Sequence, residues 1–185
     1  QRCDSDRTWL LDGAILSHRS CVPIIAAPFE KIDIPAWFYA QPTAEYKRCS
    51  PDHIACGATF ADDGTRMSIN VERIGGALLV QNYVEHHADP HDLKLVSITD
   101  VFGPQGRSTS EVTWELSARQ LEDGRVEYRN SVTARATDAF DAFIKEHGIA
   151  FEEAAAARQK ASSVHNQGET PLFAKSIERA ALAKR

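Results

Sequence analysis

Residues 53–87 read HIACGATFADDGTRMSINVERIGGALLVQNYVEHH, and the reading of this stretch decides the fold class. Three segments rich in β-branched and aromatic residues are separated by Asp63-Gly64 and Gly75-Gly76, pairs that supply the positive φ a tight hairpin turn requires. The same pattern continues in LKLVSITDVF at 93–102, EVTWELSARQ at 111–120 and RVEYRNSVTARAT at 125–137, the last two flanking Asp123-Gly124. An antiparallel meander of six or so strands is expected.

Beyond Thr137 the period changes. In DAFDAFIKEHGI, Phe140, Phe143 and Ile144 recur at i, i+3 and i+4, with Asp138 as the expected N-cap and Gly148 as the expected break. The remainder, FEEAAAARQKASSVHNQGETPLFAKSIERAALAKR, holds an alanine run that favours helix outright. A curved antiparallel sheet wrapped around a long C-terminal helix is an α+β plan of the helix-grip kind, in which sheet and helix enclose a cavity. Upstream, PAWFYAQPTAEYK at 35–47 is a helix-or-loop segment in which Pro35 and Pro42 preclude one long helix. Pro23 and Pro28 interrupt everything before it, so residues 1–34 are read as an irregular lead-in and 35–185 as one domain.

Composition agrees with a single globular unit. A chain of 185 residues buries roughly 70% of its unfolded surface, enough for one complete core. With 21 basic against 26 acidic residues, a net charge of −5 and no basic cluster, nucleic acid is not an expected partner. No apolar stretch approaches the roughly 20 residues of a membrane span, and the charged start is unlike a signal peptide, so a cytoplasmic protein is expected. The four cysteines, Cys3, Cys21, Cys49 and Cys56, form no C-x-x-C pair and are read as reduced thiols.

Among residues that could carry chemistry, His165 and Glu169 stand four apart on a helix, the spacing at which two side chains can grip one metal ion. Solvated pairs of this kind are also common. In the sheet, His53 opens the first meander strand and Glu85 lies near the end of the third. There Leu79, Gln81, Tyr83 and Glu85 share one face and Val80, Asn82, Val84 and His86 the other. Polar groups on both faces suit either a polar cavity lining or an edge strand with a solvated face. On the last strand Val126, Tyr128, Asn130, Val132 and Ala134 face inward, so the Tyr128 hydroxyl and Asn130 amide need partners or a ligand. Trp114 shares that inner surface, as core or as a ligand platform. His86, His87 and His91 are read as surface residues at a strand end.

Taken together, a first-strand His followed by Glu at a strand end, then HNQGE running into TPLFAKSIER, resembles the 2,4-diacetylphloroglucinol hydrolase family. The likeness covers roughly residues 35–180 and implies a Bet v 1-like or START-like fold holding Zn²⁺ through two His and two Glu, here His53, Glu85, His165 and Glu169. It implies hydrolysis of the carbon–carbon bond between an acyl group and a phenolic ring of an aromatic ketone. Glu85 and Glu169 would serve the reacting water, Tyr46 or Tyr128 would hold the ring or carbonyl oxygen, and Trp114, Tyr128 and Asn130 would contact substrate. No G-x-S-x-G motif competes with this route. The alternatives are a helix-grip carrier of an aromatic or lipid ligand and a metal-free cyclase of the same superfamily. Association as a homodimer is left open.

Overall fold

The computed structural model describes residues 13–183, so Cys3 lies outside the described residues. In chain order the elements are β1 Ile15–Cys21, β2 Ile24–Ile25, α1 Ile34–Ala40, α2 Thr43–Cys49, β3 His53–Phe60, β4 Arg66–Ile74, β5 Ala77–Asp89, β6 Asp92–Gly103, β7 Gly106–Gln120, β8 Val126–Ala136, α3 Asp138–Glu146 and α4 Phe151–Ala183. The strands form one eight-stranded sheet in the order β1-β8-β7-β6-β5-β4-β3, with β2 also paired to β8. Every pairing is antiparallel.

The meander from β3 to β8 is the one expected, but the sheet is larger than six strands. Residues 15–25, expected to be irregular, supply the difference. Pro23 and Pro28 interrupt the segment yet leave Ile15–Cys21 free to pair with β8 from Arg135 to Asn130. Pro35 and Pro42 do not merely break structure; each begins a short helix. Pro35 occupies the first turn of α1, whose N-cap Asp33 accepts from Ala36 N at 2.9 Å, and Pro42 is the N-cap residue of α2. The α3 cap is Thr137 and not Asp138, because the Thr137 Oγ1 accepts from Phe140 N at 3.1 Å. Gly148 does end that helix, with φ of 62°.

The 33-residue α4 lies over the sheet and buries Ser162, His165, Asn166, Glu169, Thr170, Phe173 and Ile177, a stripe at helical spacing. Phe173 is its apolar anchor, within 5.5–6.4 Å, ring centre to ring centre, of Trp37, Tyr46, His53 and Trp114. Opposite it, Leu79, Tyr83, Leu93, Leu95, Val112, Leu116, Val126 and Tyr128 fill the concave face of the sheet. The β4–β5 turn touches the helix so closely that a Cβ on Gly75 would stand 2.8 Å from Ala161 Cβ. Sheet and helix are thereby clamped together beside His165. Cys21, Cys49 and Cys56 are free thiols. Among the described residues no helix is long and apolar enough to cross a membrane.

Candidate metal centre

His53, Glu72, His165 and Glu169 converge beneath α4, each offering one ligand atom, and these atoms all lie within 4.8 Å of one another. The Nε2 of His53 is 3.1 Å from Glu169 Oε2 and 3.4 Å from Glu72 Oε2, while the Nε2 of His165 is 3.2 Å and 3.3 Å from the same two oxygens. Two imidazoles and two carboxylates therefore alternate around a common centre. All four are at least nine-tenths buried.

Glu72, not Glu85, completes this set. The β3–β4 hairpin pairs His53 with Glu72 directly, and the β4–β5 register pairs Glu72 with Leu79. Glu85 lies six residues farther along β5, roughly 20 Å away at the rise of an extended strand. It is ion-paired there to Arg66 Nη2 at 2.7 Å. The sequence did carry a signal for Glu72. In TRMSINVERI, Ser68, Asn70, Glu72 and Ile74 alternate with outward residues, and all four are buried. Regular counting outward from the Asp63-Gly64 turn would set Arg73 opposite His53; a register shift between His53 and Ala55 brings Glu72 there instead.

The surrounding groups orient the four. His53 Nδ1 is 2.7 Å from the Tyr46 carbonyl, which can only accept, so Nδ1 carries a proton and Nε2 is the ring nitrogen turned to the two carboxylates, free to meet an ion whenever it is itself unprotonated. The Tyr46 ring stacks on His53 at 3.8 Å, and its hydroxyl donates to Glu72 Oε2 at 3.0 Å. Burial above all, then the Glu72 charge, holds the Tyr46 phenol well above its ordinary pKa, so it remains a donor. On the other side, Asn130 Nδ2 donates to Glu169 Oε1 at 3.2 Å and to Thr170 Oγ1 at 3.0 Å. Trp114 Nε1 donates to Asn130 Oδ1 at 2.7 Å. Asp52 Oδ2 lies 3.7 Å from His165 Nδ1 at the solvent edge.

Tyr46, Trp114 and Asn130 thus all belong to the centre, although Asn130 and Trp114 form a relay behind Glu169, with the Asn130 amide committed to protein partners. Tyr128 is fully buried, its hydroxyl has no hydrogen-bond partner, and it does not line the cavity beside the four ligand atoms. That cavity is about 30 Å³, walled by residues including Ile74, Gln81, Tyr83, Trp114, Val132 and Asn166. It has room for one small group and not for a whole aromatic ligand. At the four ligand atoms this small cavity stands in place of the ligand-sized one expected of the fold. Two larger hollows are open to the surface: about 550 Å³ between α1, α2 and the end of α4, and about 350 Å³ over His165 between the β4–β5 turn and α4.

The donor set fits a divalent cation. In a tetrahedral site with ligand distances of roughly 2.0–2.1 Å, neighbouring ligand atoms stand about 3.3–3.4 Å apart, and the His–Glu separations here are 3.1–3.4 Å. Neither ring nitrogen of His165 makes a well-formed hydrogen bond, although both are buried. With protons alone to neutralise the cluster, burial opposes charge on His165 but Glu169 and Glu72 raise its pKa to about 11. Burial likewise opposes the Glu169 charge, and His165 and His53 lower its pKa to about 2. The carboxylates demand a positive charge at their common centre.

No family model and no curated protein matches the chain. Solved structures do. It is similar to the Zhui aromatase/cyclase from Streptomyces sp. R1128, with a TM-score of 0.57 and 13% identity over 89% of this chain and 93% of that one. Two di-domain aromatase/cyclases also match: StfQ from the steffimycin biosynthetic pathway (TM-score 0.60, 12% identity, 90% of this chain) and BexL from the BE-7585A biosynthetic pathway (0.56, 15%, 91%). The chain spans about half the length of the two di-domain proteins, 52% and 50% respectively. These likenesses establish the helix-grip fold. They do not place the chain in the diacetylphloroglucinol hydrolase family.

Proposed function

We propose that this chain is a zinc-dependent enzyme that hydrolyses the carbon–carbon bond joining an acyl group to a phenolic ring, with the ion held by His53, Glu72, His165 and Glu169. The observation that carries the reading is the buried ring of alternating imidazole and carboxylate groups, with His53 Nε2 and His165 Nε2 each within 3.1–3.4 Å of the same two carboxylate oxygens. An ion of this class acts as a Lewis acid toward carbonyl oxygen and lowers the pKa of a bound water.

The chain's own residues do the rest. The Tyr46 carbonyl fixes the His53 tautomer, and the Tyr46 hydroxyl and Asn130 amide hold one oxygen of each carboxylate in place. Phe173, Trp114 and Tyr83 exclude bulk water, which strengthens every charge interaction within. Hydrolysis adds hydroxyl to the acyl carbon and hydrogen to the ring carbon. It therefore needs the ring as its keto tautomer, so that the departing electrons rest on an enolate oxygen. The narrow cavity admits a carbonyl head, and the open hollow over His165 offers space for the remainder. A carrier would make no use of the buried imidazole and carboxylate groups.

A second reading is favoured by the structural neighbours: a cyclase of this fold acting on a polyketide-type ketone. Ring closure also passes through an enolate, so the two readings share their electrostatic demand and differ in product. Metal analysis of protein purified without added zinc, followed by incubation with acylphenols with and without chelator, tests the main reading. Mass spectrometry is expected to show a released carboxylic acid that chelation abolishes and zinc restores. Loss of water from an unbroken polyketide skeleton, insensitive to chelator, would establish the cyclase instead.

A further inference from the structure

Arg158 projects from α4 into the same small cavity, among Glu72, Tyr83, His165 and Asn166. It forms no ion pair among the described residues, and its Nε is buried without a hydrogen-bond partner. The residue as a whole is partly buried, and although burial lowers its pKa the Glu72 charge lies close enough to favour its cationic form, but an Nε–H sealed from water without an acceptor carries a desolvation cost that a ligand oxygen would relieve. Its charge is not needed to balance the loaded centre. A divalent ion cancels Glu72 and Glu169, the two acidic residues that line the cavity, and leaves the Arg158 guanidinium as one uncancelled positive charge. The Oδ1 of Asn166 is likewise buried and unpartnered on the same wall.

The neighbouring hollow supplies the other half of a ligand. It shares Ile74 and His165 with the inner cavity, continues along Ala157, Ala161 and Val164 with the opposed charges of Asp52 and Lys160 also in its lining, and has a volume of about 350 Å³. Val164 is two-thirds exposed at 67%, an apolar side chain left open at the rim.

We propose that Arg158 binds the anionic oxygen of the substrate or product, an enolate or carboxylate, while the groove of Ile74, Ala157, Ala161 and Val164 receives an apolar chain attached to it. The inference rests on the metal reading above and specifies its substrate class: a small head bearing one negative oxygen and an apolar tail. A guanidinium suits this role because its planar fork can hold a carboxylate or enolate oxygen through more than one N–H. Straight-chain carboxylates are product analogues of the hydrolysis and serve as probes.

The experiment titrates the zinc-loaded chain with the sodium salts of n-alkanoic acids from acetate to octanoate by calorimetry, with n-alkylammonium ions of equal length as controls. Affinity is expected to rise about three- to fourfold per methylene as the chain enters the groove, and the ammonium series is expected not to bind. Arg158→Gln should weaken the whole carboxylate series at least tenfold with zinc content unchanged, and Arg158→Lys should fall between, keeping charge but losing the fork. Val164→Asp, at an exposed position, should flatten the chain-length dependence while leaving acetate unaffected. Equal binding of ammonium and carboxylate probes overturns the proposal without recourse to any variant, as does wild-type carboxylate affinity in Arg158→Gln. Zinc content is measured in each sample. A chain that takes up no zinc sinks the metal reading whatever the alkanoates do, whereas a zinc-loaded chain indifferent to Arg158 sinks this inference alone.

Discussion

Glu72 and Glu85 sit on the concave side of adjacent strands, one toward each end of the sheet, and their surroundings differ in kind. Glu85 meets Arg66 at 2.7 Å, and the Arg66 guanidinium also lies over the Tyr39 ring at 4.6 Å. A permanent cation satisfies that carboxylate at every ordinary pH. Glu72 meets two imidazoles, a phenol and a second carboxylate. Imidazole is a conditional cation and a metal ligand, so the Glu72 end of the sheet acquires its full positive charge only from protons or from an ion. One region is electrostatically finished by the chain itself; the other is built to be completed.

Charge-neutral substitution at the two positions should separate them most sharply. Glu72→Gln keeps the volume and the Tyr46 contact but removes one of four donors, and zinc affinity is expected to fall more than about 100-fold, beyond the 10–100-fold typical of losing a supporting group. Glu85→Gln should leave it unchanged. Competition against a fluorescent chelator measures both. Equal losses in the two variants would break the comparison, and a loss confined to Glu85→Gln would restore the strand-end glutamate as the ligand.

The contrast also shows what could be read in advance. Hairpin dipeptides and alternation carried most of the sheet, because turn stereochemistry and the two-residue period are local properties of the chain. The His165/Glu169 pair was equally local, being a matter of helical spacing. Glu72 was harder to see, since its role depends on which inner-face carboxylate the register brings beside His53, and Glu85 satisfies alternation just as well. β1 was hidden for a different reason: an edge strand is made by its partner, and ILSHRSC has no strong signal until β8 lies beside it. Asn130 was legible as an inward amide. That it serves Glu169 and not a ligand became visible only with α4 in position.

Titration provides a smaller but directional test. In the ion-free chain Glu169 is depressed from 4.5 to about 2, so its stabilising contribution is present above pH 4.5 and is lost as pH falls toward 2. His165 is raised from 6.5 to about 11, so its contribution is complete below pH 6.5 and is lost as pH rises toward 11. Ion-free stability should therefore be greatest between those ordinary values and decline on both sides. Zinc requires the unprotonated imidazole, so the rise in Tm that zinc produces over chelator should grow from pH 5 to pH 8. Thermal melts in parallel buffers read this out. A zinc effect independent of pH would mean that His165 does not exchange its proton for the ion.

The smallest effect expected is at the finished end, and its smallness is informative. The Arg66 and Glu85 side chains are 41% and 19% exposed, so solvent screens their attraction. A double-mutant cycle through Arg66→Met and Glu85→Gln should give a coupling of only about 0.5–1 kcal/mol. Zinc affinity should be the same in all four proteins, because the pair lies roughly 20 Å along the strand from the centre and touches none of its ligands. Chemical denaturation gives the coupling, and chelator competition the metal affinity. A coupling above about 2 kcal/mol would mean that the pair is desolvated far more than its exposure indicates. Any change in zinc affinity would mean that the two ends of the sheet communicate, and the division between a self-neutralised carboxylate and an ion-requiring one would fail.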